Sequence, residues 1–128
     1  MSTVLIVDDE ETIREVATAI LQKAGHQCVS AVDAAQAIDK IQAHKLDVAL
    51  VDVILPGRGG LDLLMEIRRD FPALPVVVMS GKVKTNTLPF QNLARQFGAG
   101  QILSKPFTSE ELVSAVESVL QDDPPTAV

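Results

Sequence analysis

Val48-Ala49-Leu50-Val51-Asp52 decides the fold. Its four apolar residues run without a polar break, two of them β-branched, and the run is too short for a core helix. Such a strand is buried on both faces, which points to the centre of a parallel sheet. Val4 to Val7 and Val76 to Met79 have the same character. Outward from these runs the period becomes helical: Ile13, Val16, Ala17, Ile20, Leu21 and Ala24 fall on one face, and Gly25 stands where the helix should stop. A second strand near Gln27 to Val32 leads to Asp33, which suits the cap of a helix carrying Ala34, Ala37, Ile38 and Ile41 on its inner face. Further helices are expected from Gly60 to Asp70, from about Pro89 to Phe97 with Gly98 as its stop, and from Thr108 to about Gln121. Thr108 and Glu111 match a capping box at the last of these starts. With a fifth strand at Gln101 to Ser104, the alternation of strand and helix, free of internal repeats, implies a doubly wound α/β sandwich.

A chain of 128 residues, 47% of them apolar, has room for one substantial core. We expect one domain over residues 1–121, and a frayed end or linker stub over 122–128, where Pro124-Pro125 offers little to bury. The formal charge of −6 argues against binding nucleic acid or an anionic membrane, since phosphate surfaces are met by excess Lys and Arg. A protein partner or a small ligand fits better. Cys28, the only cysteine, excludes an intrachain disulfide and reads as a small core residue. No apolar run reaches bilayer length and no signal peptide opens the sequence, so a soluble, cytoplasmic protein is expected. His26 and His44 lack metal-ligand spacing with Cys28 and are expected to be solvated.

Working groups of an open parallel sheet collect beyond the carboxyl ends of its strands. The first strand ends in Asp8-Asp9, the third in Asp52, the fourth in Ser80 and the fifth in Lys105-Pro106. Carboxylates gathered on one rim repel: at an effective dielectric near 20, a pair about 4 Å apart costs roughly 4 kcal/mol. Lys105 supplies one compensating charge, and an open all-oxygen cluster is the kind of site that holds Mg²⁺ through a few carboxylates plus phosphate oxygens. A carboxylate at such a site, with Mg²⁺ and Lys105 neutralising a phosphoryl group, can attack phosphorus in line. Asp52, at the end of the middle strand, is the expected nucleophile, whereas Asp47 precedes that strand and belongs to the opposite end of the sheet, as a surface residue.

Val7-Asp8-Asp9-Glu10, Val51-Asp52-Val53-Ile54-Leu55-Pro56-Gly57, Met79-Ser80-Gly81 and Ser104-Lys105-Pro106-Phe107 together resemble the receiver domains of two-component response regulators, over nearly the whole chain. The resemblance implies a flavodoxin-like fold, a five-stranded parallel sheet of order 2-1-3-4-5 with helices on both faces. It implies that Asp9 ligates Mg²⁺ directly, that Asp8 assists through water, and that the backbone carbonyl of Ile54 is a further ligand. Asp52 would ligate the metal and accept phosphate from a histidine kinase or histidine phosphotransfer protein. Ser80 would turn its hydroxyl toward the phosphoryl group and Lys105 would bind one of its oxygens, with the Lys105–Pro106 peptide cis. The protein would then be a switch acting on a downstream protein target, assisting its own phosphorylation and dephosphorylation without being an enzyme in the ordinary sense.

Three features depart from that family pattern. Ile102 stands three residues before Lys105, where an aromatic ring is common, so the usual aromatic coupling to Ser80 is missing. The interval from Ser80 to Lys105 is long, with Lys82-Val83-Lys84-Thr85-Asn86-Thr87-Leu88 leading into the short fourth helix and Pro89 in its first turn. Ile54 and Lys82 flank the route of attacking water and are expected to tune the lifetime of the phosphoryl group. Gly57 to Gly60 lacks the Lys-Ser/Thr ending of a phosphate loop and reads as a tight turn after Asp52. Other readings fare worse. An aspartyl-phosphate phosphatase of the haloacid-dehalogenase type needs a second Asp where Ile54 stands, a flavin-binding flavodoxin needs a hydroxyl-rich loop after the first strand, and a phosphorylation-independent scaffold is opposed by the intact acidic and lysine positions.

Overall fold

The computed structural model describes residues 2–55, 57, 59–81 and 88–121, with 88–91 and 121 described by their backbone alone. Five strands alternate with five helices: β1 Thr3–Val7, α1 Glu11–Lys23, β2 Gln27–Ala31, α2 Ala34–Ala43, β3 Val48–Asp52, α3 Gly60–Asp70, β4 Val76–Ser80, α4 Leu88–Gln96, β5 Gln101–Ser104 and α5 Ser109–Gln121. All pairings are parallel and the sheet order is β2-β1-β3-β4-β5. The chain steps outward from β1 to β2, then reverses and crosses back to β3, β4 and β5. Because parallel crossovers are right-handed, the reversal sends α1 to one face of the sheet and α2, α3 and α4 to the other.

Side-chain alternation divides the core accordingly. Leu5, Val7, Ala49, Val51, Val76 and Val78 face α2, α3 and α4, meeting Ala37, Ile41, Leu63, Leu64, Ile67 and Ala94. Val4, Ile6, Val48, Leu50, Val77 and Met79 face α1 and α5, meeting Ala17, Leu21, Leu112 and Val116. Both faces of β1, β3 and β4 are covered, which is why their sequences are unbroken apolar runs. Ile102 of β5 is half-buried against the first of these cores.

The helix stops are those expected. The His26 amide bonds to the Leu21 carbonyl at 2.9 Å and that of Gly25 to Gln22 at 3.0 Å, with Gly25 at φ 99°. Gly98, at φ 101°, closes α4 in the same way, with the Ala99 amide on the Ala94 carbonyl. Asp33 accepts the Gln36 amide at 2.9 Å, and Thr108 and Glu111 exchange the two bonds of a capping box.

Some expectations need correction. Val16 and Ala24 are exposed: the buried stripe of α1 is centred on Ala17 and Leu21, Val16 lies on its flank, and Ala24 is the C-cap at the helix end. His26 is not solvated. Its side chain is 8% exposed, enclosed between the end of α1 and α5, with Nε2 3.4 Å from the Glu117 carboxylate. His44 is exposed as expected. Cys28 is half-buried, and burial raises its thiol pKa. Residues 82–87 and the expected tail, 122–128, lie outside the described residues, so Lys82 and the lead into α4 do too. Among the described residues no helix is long and apolar enough to cross a membrane.

Candidate functional site

The reversal in strand order falls between β1 and β3, and there the carboxyl ends of both strands deliver acids. Asp8 follows β1 directly, its amide still bonded to the Ala31 carbonyl at 3.2 Å, and it is fully buried. Its Oδ1 accepts the Glu10 amide at 2.9 Å and its Oδ2 accepts Lys105 Nζ at 2.7 Å. Asp52 closes β3, where Oδ1 accepts the Ile54 amide at 3.1 Å and Oδ2 accepts Lys105 Nζ at 2.9 Å. Asp9 and Glu10 are exposed at the turn into α1.

Lys105 reaches this position because β5 ends beside β4. Its amide bonds to the Ser80 carbonyl at 2.9 Å, and the Lys105–Pro106 peptide is cis. Gly81 makes room for the lysine stem: a Cβ there would stand 3.0 Å from Lys105 Cβ and 3.1 Å from Cδ. The resulting cleft, about 470 Å³, is lined by Asp9, Glu10, Asp52, Ile54, Gly81 and Lys105 among others. A larger hollow of about 620 Å³ between α1 and α5 shares no lining residue with this cleft, and its walls are mainly small and aliphatic.

Asp8, Asp9, Glu10 and Asp52 each offer a carboxylate oxygen within 4.8 Å of the others. Among the described residues one ammonium, that of Lys105, faces them, with Glu10 Oε1 3.8 Å from Nζ. Burial works to lower the pKa of Lys105, but its hydrogen bonds to Asp8 and Asp52 outweigh that and hold it above the usual range. Burial pushes the Asp52 carboxyl up; the Lys105 and Ile54 bonds work against the rise and the neighbouring Asp8 charge adds to it, leaving a raised value. The Asp52 rise comes first from burial and the Lys105 rise from its two carboxylate partners; among the described residues the four acids outnumber the lysine that joins two of them. An oxygen-only, open and under-neutralised cluster of this kind fits a hard divalent cation such as Mg²⁺.

The Asp52 shift fixes a sign. A carboxyl whose folded pKa lies above its unfolded value near 3.8 contributes stability that is full below that value and is lost as pH rises through the folded pKa. In metal-free buffer, the stability difference between wild type and Asp52→Asn should therefore shift in favour of the asparagine variant as pH climbs through this window. Urea denaturation across that range checks it, and a constant difference would contradict the raised pKa.

Of the residues singled out from sequence, Asp8, Asp9, Asp52 and Lys105 come together as expected. Ser80 is at the right strand end but is fully buried, and Gly81 takes the place beside it in the cleft lining. Ile54 is there too, 46% exposed at the rim. Asp47 sits at the opposite end of the sheet and does more than solvate a surface: its Oδ2 accepts the Thr3 amide at 2.8 Å, tying the start of β1 to β3. Sequence reasoning gave no role to Glu10 or Arg14. Glu10 was legible as the third acid of one run; Arg14, whose Nη1 donates to the Asp8 carbonyl at 2.8 Å, left no signal, since a backbone acceptor has no sequence signature.

A family model described as response regulator receiver domain matches residues 4–117. The chain is 36% identical over 126 residues to the DNA-binding transcriptional regulator NtrC of Azospirillum brasilense, covering 98% of this chain and 26% of that protein. It is 36% identical over 121 residues to the phosphate regulon transcriptional regulatory protein PhoB of Pseudomonas aeruginosa, covering 93% of this chain and 52% of that one. The crystal structure of the receiver domain of NtrX from Brucella abortus matches with a TM-score of 0.87 at 34% identity, over 94% of this chain and 99% of that one. The chain thus spans about half or less of the length of these curated relatives.

Proposed function

The chain belongs to the response regulator receiver domain family, and on that premise we propose that it is a signalling module switched by phosphorylation of Asp52. The observation that carries the reading is the buried Asp52 carboxylate, bonded to Lys105 Nζ at 2.9 Å at the head of an open cleft and flanked by three further carboxylates. Mg²⁺, held by Asp9, Asp52 and the Ile54 carbonyl with Asp8 acting through water, would neutralise charge on the transferring phosphoryl group.

The chain's own residues perform the rest. The Ile54 amide on Oδ1 and the Lys105 ammonium on Oδ2 fix the plane of the Asp52 carboxylate before a donor arrives. One Asp52 oxygen attacks phosphorus in line; the O–P bond forms as the P–N bond to the donor histidine breaks, and the imidazole nitrogen leaves with the electron pair and is protonated. Lys105, freed from one carboxylate partner as Asp52 becomes an acyl phosphate, turns its charge to a phosphoryl oxygen. Ser80 provides the hydroxyl that follows the new group. Phosphate then shifts the population between two surfaces by its differential contacts with them. The donor is a histidine kinase or phosphotransfer protein, and the readout is a protein partner. The net charge of −6 opposes direct contact of this segment with nucleic acid, and the DNA-binding wording in a relative's name belongs to a protein of which this chain spans about a quarter.

Intact-protein mass spectrometry after incubation with a small phosphodonor tests the reading, with and without Mg²⁺. Wild type and Asp47→Asn should each gain one phosphoryl group that requires Mg²⁺, and Asp52→Asn should gain none. Wild type that stays unmodified even with a competent kinase would replace this reading with that of a phosphorylation-independent scaffold.

A further inference from the structure

We infer that Arg14 is a positioning residue for the metal site, an inference that rests on the proposed function. The turn that carries the acids is three residues long: Asp8, Asp9 and Glu10 join the end of β1 to the start of α1. Arg14 holds this turn at both ends. Its backbone amide donates to the Glu10 carbonyl at 3.1 Å, and its Nη1 donates to the Asp8 carbonyl at 2.8 Å. Asp8 is thereby fixed on three sides, since its carboxylate also takes the Glu10 amide and Lys105 Nζ.

Among the described residues Asp9 has no such support. Its carboxylate is exposed, so its distance from Asp52 is set by the backbone of the turn and not by packing. The clasp from Arg14 removes freedom from that backbone. A planar guanidinium is well suited to such a clasp, because its donors form a pre-organised fork and less freedom is lost per hydrogen bond formed. Supporting contacts outside the ligand set commonly change metal affinity by about 10- to 100-fold when removed.

The sign of the effect separates positioning from proximity. Arg14 is a cation bonded to the main chain of Asp8, where the acidic run begins, and if its charge were all that mattered, removing it would tighten Mg²⁺ binding by relieving repulsion. A positioning role requires the reverse. We expect calorimetric titration with Mg²⁺ to show roughly tenfold weaker binding to Arg14→Met than to wild type, with the far-ultraviolet spectrum retained. Arg14→Lys, which keeps a donor and the charge, should recover most of the affinity. Acceptor phosphorylation by a small phosphodonor should slow at low Mg²⁺ and converge on the wild-type rate at saturating Mg²⁺. Arg14→Gln, too short to span to the carbonyl but a good helix former, carries the same expectation if the methionine variant does not fold. Unchanged or tighter Mg²⁺ binding in these neutral variants overturns the inference while leaving the proposed function intact; a wild type that binds no Mg²⁺ overturns both.

Discussion

Lys105→Met is expected to lower the stability of the metal-free chain by about 3 kcal/mol, the scale of removing one partner from a buried ion pair. The lysine side chain is 13% exposed, and the side chains it joins, Asp8 and Asp52, are 0% and 8% exposed. Methionine matches the stem, which packs beside Gly81, so the loss isolates the charge. Without the ammonium, two buried carboxylates face each other with Asp9 and Glu10 close by, and proton uptake by Asp52, already raised, limits the cost. Mg²⁺ should restore more stability to the variant than it adds to wild type, because it replaces the missing charge and stabilises in proportion to its own binding. On the proposed function, the variant should bind Mg²⁺ more tightly yet accept phosphate far more slowly, since the ammonium that would meet a phosphoryl oxygen is gone. Urea denaturation with and without Mg²⁺ checks the stability, and phosphodonor time courses check the rate. A variant as stable as wild type in metal-free buffer would mean that Lys105 does not balance the acids.

Much of this site was legible because each acid follows an apolar run. The run fixes where a strand is buried, so the first polar residue after it, Asp8, Asp52 or Ser80, marks the strand's carboxyl end. Parallel strands then bring those ends to one rim, and the lysine after β5 joins them. Helix bounds followed from local chemistry: α3 begins and ends at Gly60 and Asp70, and the Gly25 and Gly98 stops need nothing beyond their own turns. The features that escaped depend on contacts between distant segments. His26 is enclosed only because α5 packs over the end of α1. Val16 has the right spacing for the buried stripe of α1 but sits on its flank, and spacing does not say how wide a stripe the neighbouring elements cover. Arg14 acts on a carbonyl. Residue types register side chains, so an interaction with the main chain is invisible to them.

Gly60→Ala is expected to cost about 3 kcal/mol or more, for a reason that the sequence pattern alone misassigns. The glycines after Asp52 suggest a turn that needs conformational freedom, and Gly57, at φ 77°, has that role. Gly60 has no positive φ. It stands at the first position of α3, its amide bonded to the Val53 carbonyl at 2.8 Å, and a Cβ there would lie 2.1 Å from the Asp52 carbonyl oxygen and 2.6 Å from Val53 Cα. Every one of those atoms is backbone, so no side chain can rotate away. Either α3 lifts from the sheet, exposing Leu63, Leu64 and Ile67, or the end of β3 moves and carries the Asp52 carboxylate out of reach of Lys105. Gly59→Ala is the control: the nearest atom to its Cβ is the Val53 carbonyl oxygen at 3.9 Å, and the loss of a glycine N-cap should cost under about 1 kcal/mol. Urea denaturation of both variants, with phosphodonor labelling of whichever folds, separates the outcomes. Equal losses at the two positions would show that turn flexibility, and not the approach of α3 to the Asp52 backbone, is what the glycines supply.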